Sequence, residues 1–218
     1  MMWSLRTLVS NPRSFFAVES SSPRRLQPAA VVGAAGLSTL LGSLLLISYS
    51  LFPEQESLAY ALGRTVVEVP VRLLRGTIVS FGHIYVYWIV FVVVFYLLTT
   101  PFSGDGRTFD RREATTLLWL GGWGFLPVAL SGLVWFAMMV VGTQVVAHPE
   151  TVAETERFWQ AVQQTPYVRA TQYLNVGATV WAGYLWATSL ATVRDVDLKI
   201  ALASVLPAVL YLNRHLLL

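Results

Sequence analysis

The side chains best suited to proton transfer, nucleophilic attack or metal ligation are few and scattered along this 218-residue chain. His83, His148 and His215 stand far apart, and none has a second histidine or a carboxylate at ligand spacing such as H-x-x-x-H. Cysteine is absent, which excludes disulfides, thiolate metal sites and a cysteine nucleophile. The long apolar blocks carry no Asp or Glu at their centres, so proton relays, coupling-ion carboxylates and the glutamates of membrane metalloproteases lack their usual residues. No P-loop, no G-x-G-x-x-G after a strand and no G-x-S-x-G elbow occurs. No catalytic residue, cofactor or metal is expected. His83, Gln144, Gln172 and Asn175 read as hydrogen-bonding groups at the interface or between helices.

The blocks that would have to position any chemistry belong to a membrane protein. Hydrophobic residues make up 55% and charged residues 12%, against about 25% charged in soluble domains. Five apolar blocks, at about 28–52, 76–100, 114–146, 168–193 and 197–215, predict an all-α bundle of five transmembrane helices. Residues 1–27 are expected to form a cytoplasmic arm, with no cleaved signal because the first apolar run begins too late, and 28–218 a single membrane domain. The third block would span about 50 Å as one straight helix, more than an apolar bilayer core of about 30 Å. It is therefore expected to kink or break at Gly121-Gly122-Trp123-Gly124-Phe125-Leu126-Pro127.

Between the blocks, the spacing of Leu62, Val66, Val69 and Leu73 against Arg64, Glu68, Arg72 and Arg75 predicts a short interfacial amphipathic helix before the second span, interrupted at Pro70. Asp110 with Glu113 three residues on reads as a capping box, and Asp197 as the N-cap of the last helix. A short helix is expected over 154–164 in a wet, acidic loop. Small residues at four-residue spacing, Ala34, Ser38 and Gly42, then Thr179, Gly183, Ala187 and Ala191, form helix-packing ridges.

Arg and Lys are richer in the N-terminal segment and in the loops 101–113 and 194–199 than on the opposite side, which predicts a cytoplasmic N-terminus and an extracytoplasmic C-terminus. The basic residues lie in short groups beside apolar blocks, Arg24, Arg25, Arg111 and Arg112 among them, and form no continuous stripe. Anionic lipid headgroups, other membrane proteins or further copies of the chain are the expected partners, and nucleic acid is not.

Pro12-Arg13-Ser14-Phe15-Phe16 before the first span resembles the Pro-Arg-x-Phe-Phe-like stretch of the Yip-domain family, the Ypt/Rab-interacting membrane proteins and their prokaryotic relatives. Pro12, Arg13, Phe15 and Phe16 carry that likeness. Gly122 and Pro127 are similar to the family's G-Y-x-x-x-P, with Trp123 in the place of its tyrosine, and the charged turn 194–201 extends the resemblance to essentially the whole chain. The D-L-Y-G-P segment of eukaryotic members is missing, so Rab binding is not implied. The resemblance implies a non-enzymatic membrane protein whose eukaryotic relatives act in vesicle traffic and membrane shaping.

Two functions from different classes follow. A scaffold or adaptor would work through helix contacts and its Arg-rich cytoplasmic face. A small transporter or channel component would use a site at the broken third span. They differ in the surroundings of Pro127: packed aromatic rings, Trp119, Trp123 and Phe125, in the first case, and a polar, wet cavity in the second. An enzyme is the least supported reading, because no acid, base and nucleophile converge.

Overall fold

The computed structural model describes residues 5–21, 26–48, 57–62, 65–103, 110–149 and 152–213. Two short helices open the chain, α1 (Leu5–Ser10) and α2 (Pro12–Ser21), followed by α3 (Leu26–Ser48). The segment expected to hold an amphipathic helix is instead a hairpin, β1 (Ser57–Leu62) paired antiparallel with β2 (Thr65–Pro70), its register running from Ser57 opposite Pro70 to Leu62 opposite Thr65. Local composition accounts for this correction. Thr65, Val66, Val67 and Val69 are β-branched and favour a strand. The pattern at Leu62, Val66 and Val69 fits a helical face, but the strand propensity of the same residues prevails, and Pro70 closes the strand.

Helix α4 (Val71–Thr99) follows directly and starts five residues before the apolar block does. Beyond it come α5 (Arg111–Gly122), a single 3-10 turn at Trp123–Phe125, α6 (Leu126–Val145), α7 (Val152–Gln164), α8 (Pro166–Arg194) and α9 (Leu198–Leu212). Helix α8 is the central strut: it packs on α2, α5, α6 and α9, and every residue from Leu185 to Ala191 is buried. Both helix caps read from the sequence form, with Asp110 accepting from the Arg112 and Glu113 amides and Asp197 from the Lys199 amide. The capping box does not close, however. The Asp110 amide donates to the Tyr96 hydroxyl at 2.7 Å, and Glu113 turns to Arg194.

Two helical stretches are long and apolar enough to cross a membrane, Phe81–Phe102 and Arg111–Val145, and two shorter ones, Leu26–Gly42 and Leu198–Leu212, are also apolar. The outward side chains bear this out. Ile89, Val90, Val93 and Leu97 on α4, Leu130, Leu133 and Val134 on α6, and Leu202, Leu206 and Leu210 on α9 are all exposed. Large apolar side chains exposed along three helices suit a lipid surrounding.

Apart from Ala34, which is exposed, the small-residue ridges face the interior. A Cβ on Gly183 would meet the Val209 side chain of α9 at 2.5 Å, and one on Gly42 would run into the Trp135 ring of α6.

Candidate functional site

The third apolar block changes helix type where the glycines and proline require it. Pro127 has no amide to give the Trp123 carbonyl, and its ring crowds that turn. The backbone tightens into the 3-10 turn, with the Leu126 amide reaching back to Trp123. Two tryptophans then bond to carbonyls on the preceding turns. Trp88 Nε1 donates to the Leu118 carbonyl at 2.6 Å and Trp186 Nε1 to the Gly121 carbonyl at 2.9 Å. In an apolar surrounding these bonds satisfy groups with no water to turn to. Gly124 lies against the Trp186 indole so closely that a Cβ there would overlap it, and a Cβ on Gly122 would stand 3.0 Å from the Pro28 carbonyl oxygen at the start of α3.

Onto this turn folds the N-terminal segment. Pro12, Phe15 and Phe16 are buried, and Phe15 meets Trp123 edge to face with centroids 5.3 Å apart. Leu8, Phe16, Leu120 and Leu185 complete the cluster, while Arg13 stays exposed. The two stretches singled out in the sequence, Pro12 to Phe16 and Gly122 to Pro127, therefore meet in one packed site. Trp123 contributes ring surface only, for its Nε1 is buried without a partner. Replacing Phe16, fully buried, with alanine is expected to weaken this docking by about 3–5 kcal/mol. Limited proteolysis checks it: cleavage within residues 5–21 should accelerate while the helical bundle stays resistant.

At the far end of α5 a polar cluster ties three segments together. The Arg194 guanidinium bonds Glu113 at 2.5 Å and Ser103 Oγ at 3.0 Å, and its Cζ lies 4.2 Å from the centre of the Tyr96 ring. The sequence offers Glu113 as a capping-box partner for Asp110 and Arg194 as part of a charged turn, and their pairing across 81 residues has no local signal. No local signal in the sequence marks the hydrogen bonds of Trp88 and Trp186 to α5.

Of the candidate lipid- or partner-facing arginines, Arg111 and Arg112 are exposed at the start of α5, while Arg24 and Arg25 lie outside the described residues. His83 stacks on Tyr87 with centroids 5.9 Å apart, and His148 faces Phe158. His215 falls outside the described residues. No group of three or more metal-ligating side chains gathers among the described residues.

Fold and site together define a helical membrane-type bundle whose N-terminal helices lock onto an interrupted third apolar helix. The chain belongs to the Yip1 domain family, whose model matches residues 6–213, nearly the whole length. No curated protein and no solved structure matches it.

Proposed function

We propose that the chain is a multi-pass, non-enzymatic scaffold or adaptor of the cell (cytoplasmic) membrane, acting through helix contacts and an arginine-rich cytoplasmic face. It crosses the bilayer five times, with α3, α4, the α5–α6 pair, α8 and α9 as spans, the N-terminus cytoplasmic and the C-terminus outside. Helix α9, about 23 Å long, is the shortest and relies on local thinning of the bilayer.

The observation that carries this reading is the filling of the interrupted third helix. A transport site there needs a wet, polar space, yet Trp123, Phe125, Pro127 and Trp186 are all buried and Phe15 packs edge to face on Trp123. Rings in close contact hold a shape; they do not open a path. The exposed Arg111 and Arg112 support a face for anionic headgroups or an acidic membrane partner, to which Arg24 and Arg25 of the N-terminal arm would add their charge.

Each arginine beside an anionic surface contributes about 1 kcal/mol. Changing Arg24, Arg25, Arg111 and Arg112 to glutamine should therefore strip most anionic lipid from the purified protein, read by mass spectrometry of the retained lipid. Unchanged retention sinks the proposed face. Topology is checked on this naturally cysteine-free chain by single cysteines at either end. An impermeant thiol reagent should label the C-terminus in intact cells and the N-terminus only after lysis.

A further inference from the structure

About one turn beyond Pro127 the interior changes character. Helices α3, α6 and α8 part around a cavity of about 450 Å³, within the ~300–1,000 Å³ range of small-molecule sites. Ser38, Ser131, Gln172 and Asn175 line it, Gln163 of α7 stands at its rim, and Trp135 forms one wall. The lining includes no charged side chain. A second polar hollow shares Gln163 and Gln172 and continues to Arg169 and Tyr173, so the approach is polar and runs beneath α7.

The polar groups of the lining determine what would fit. The Ser38 hydroxyl donates to the Ala35 carbonyl at 2.8 Å, which leaves its lone pairs free. The Ser131 hydroxyl lies 3.0 Å from the Val128 carbonyl and 3.2 Å from Asn175 Oδ1, so the Asn175 NH₂ points both its donors elsewhere. The cavity therefore offers donors and acceptors in mixture, with no fixed charge. A phosphate or carboxylate would meet no cation inside, an ammonium no carboxylate, and an acyl chain would leave the amides unsatisfied. The apolar face of Trp135 is held in place by Gly42, whose missing side chain makes room for its ring.

We infer that this cavity is a binding site for a neutral, hydroxyl-rich group, a sugar or polyol, whose hydroxyls match the amides and serines while its C–H face lies on Trp135. Such a group exists free in solution or as the headgroup of a glycolipid. The chemistry is shared, and the supply is separable by experiment.

The full chain, reconstituted in phosphatidylcholine nanodiscs, is titrated with methyl β-glucoside, and in a parallel arm the discs contain monoglucosyl diacylglycerol. A rise in the thermal unfolding midpoint is expected in at least one arm. Protection in the first identifies a soluble sugar or polyol, and protection confined to the second identifies a lipid headgroup. Asn175→Leu and Gln172→Leu should each weaken binding by about tenfold, since a site built for hydroxyls is then short of a partner. Gln172 is exposed, so its variant keeps the fold even where Asn175→Leu does not. No protection in either arm means a water-filled crevice and overturns the site. Equal protection of wild type and Gln172→Leu, or stronger protection by inorganic phosphate acting at Arg169, overturns it as well.

Discussion

Trp186→Ala should destabilise the bundle more than any other single change at the third-helix break, by about 3–5 kcal/mol. Trp186 is 2% exposed and lies among Phe91, Phe95 and Phe125, with centroids 5.6, 5.8 and 5.3 Å away. Alanine would leave a void where three rings now find contact, and it would take away the donor to the Gly121 carbonyl. Trp186→Phe separates those effects. It keeps most of the ring volume and removes only the hydrogen bond, for an expected loss of about 1–3 kcal/mol. Gly124→Ala approaches the same contact from the other side, since its new methyl would overlap the indole, and overpacking of this kind costs about 1–3 kcal/mol. Denaturant-induced unfolding in micelles, followed by tryptophan fluorescence, ranks the three. Should Trp186→Phe prove as harmful as Trp186→Ala, the hydrogen bond and not ring packing would be what the turn depends on.

These residues also show how far a sequence alone reaches. The long helices and the caps at Asp110 and Asp197 follow from local rules, because hydrophobic periodicity and capping side chains act within a few residues; before Pro127, where a kink or break was expected, there is a single 3-10 turn. The connector before α4 did not follow, since its spacing suits a helical face and its β-branched residues suit a strand, and only pairing decides between them. The candidate site was half legible. Phe15, Phe16, Gly122 and Trp123 stood out as family-like stretches, but that they touch is a long-range fact with no trace in periodicity. Trp186 was further hidden, because nothing local sets it apart in a chain with eight tryptophans. Gln172 and Asn175 drew notice only as polar residues near a span end, since a cavity is a property of three helices together.

The Arg194–Glu113 pair yields the second large effect, and its two halves should behave unequally. The Arg194 side chain is 1% exposed and that of Glu113 27%. Glu113→Leu strands a guanidinium that has almost no access to water, and a buried charge left without its partner costs about 3–5 kcal/mol. Arg194→Met leaves a carboxylate that still reaches solvent, so the loss should be smaller, about 1–3 kcal/mol, most of it from the contacts with Tyr96 and Ser103. Arg194→Lys is expected to behave more like Met than like wild type, because one ammonium cannot bond Glu113 and Ser103 while lying flat over the Tyr96 ring. Combining Arg194→Met with Glu113→Leu should recover much of the Glu113→Leu loss, since no uncompensated charge remains. Unfolding midpoints of the four chains close the cycle. A Glu113→Leu midpoint equal to wild type would mean that the guanidinium finds water on its own, and that α4, α5 and α8 are not held together at this end by charge.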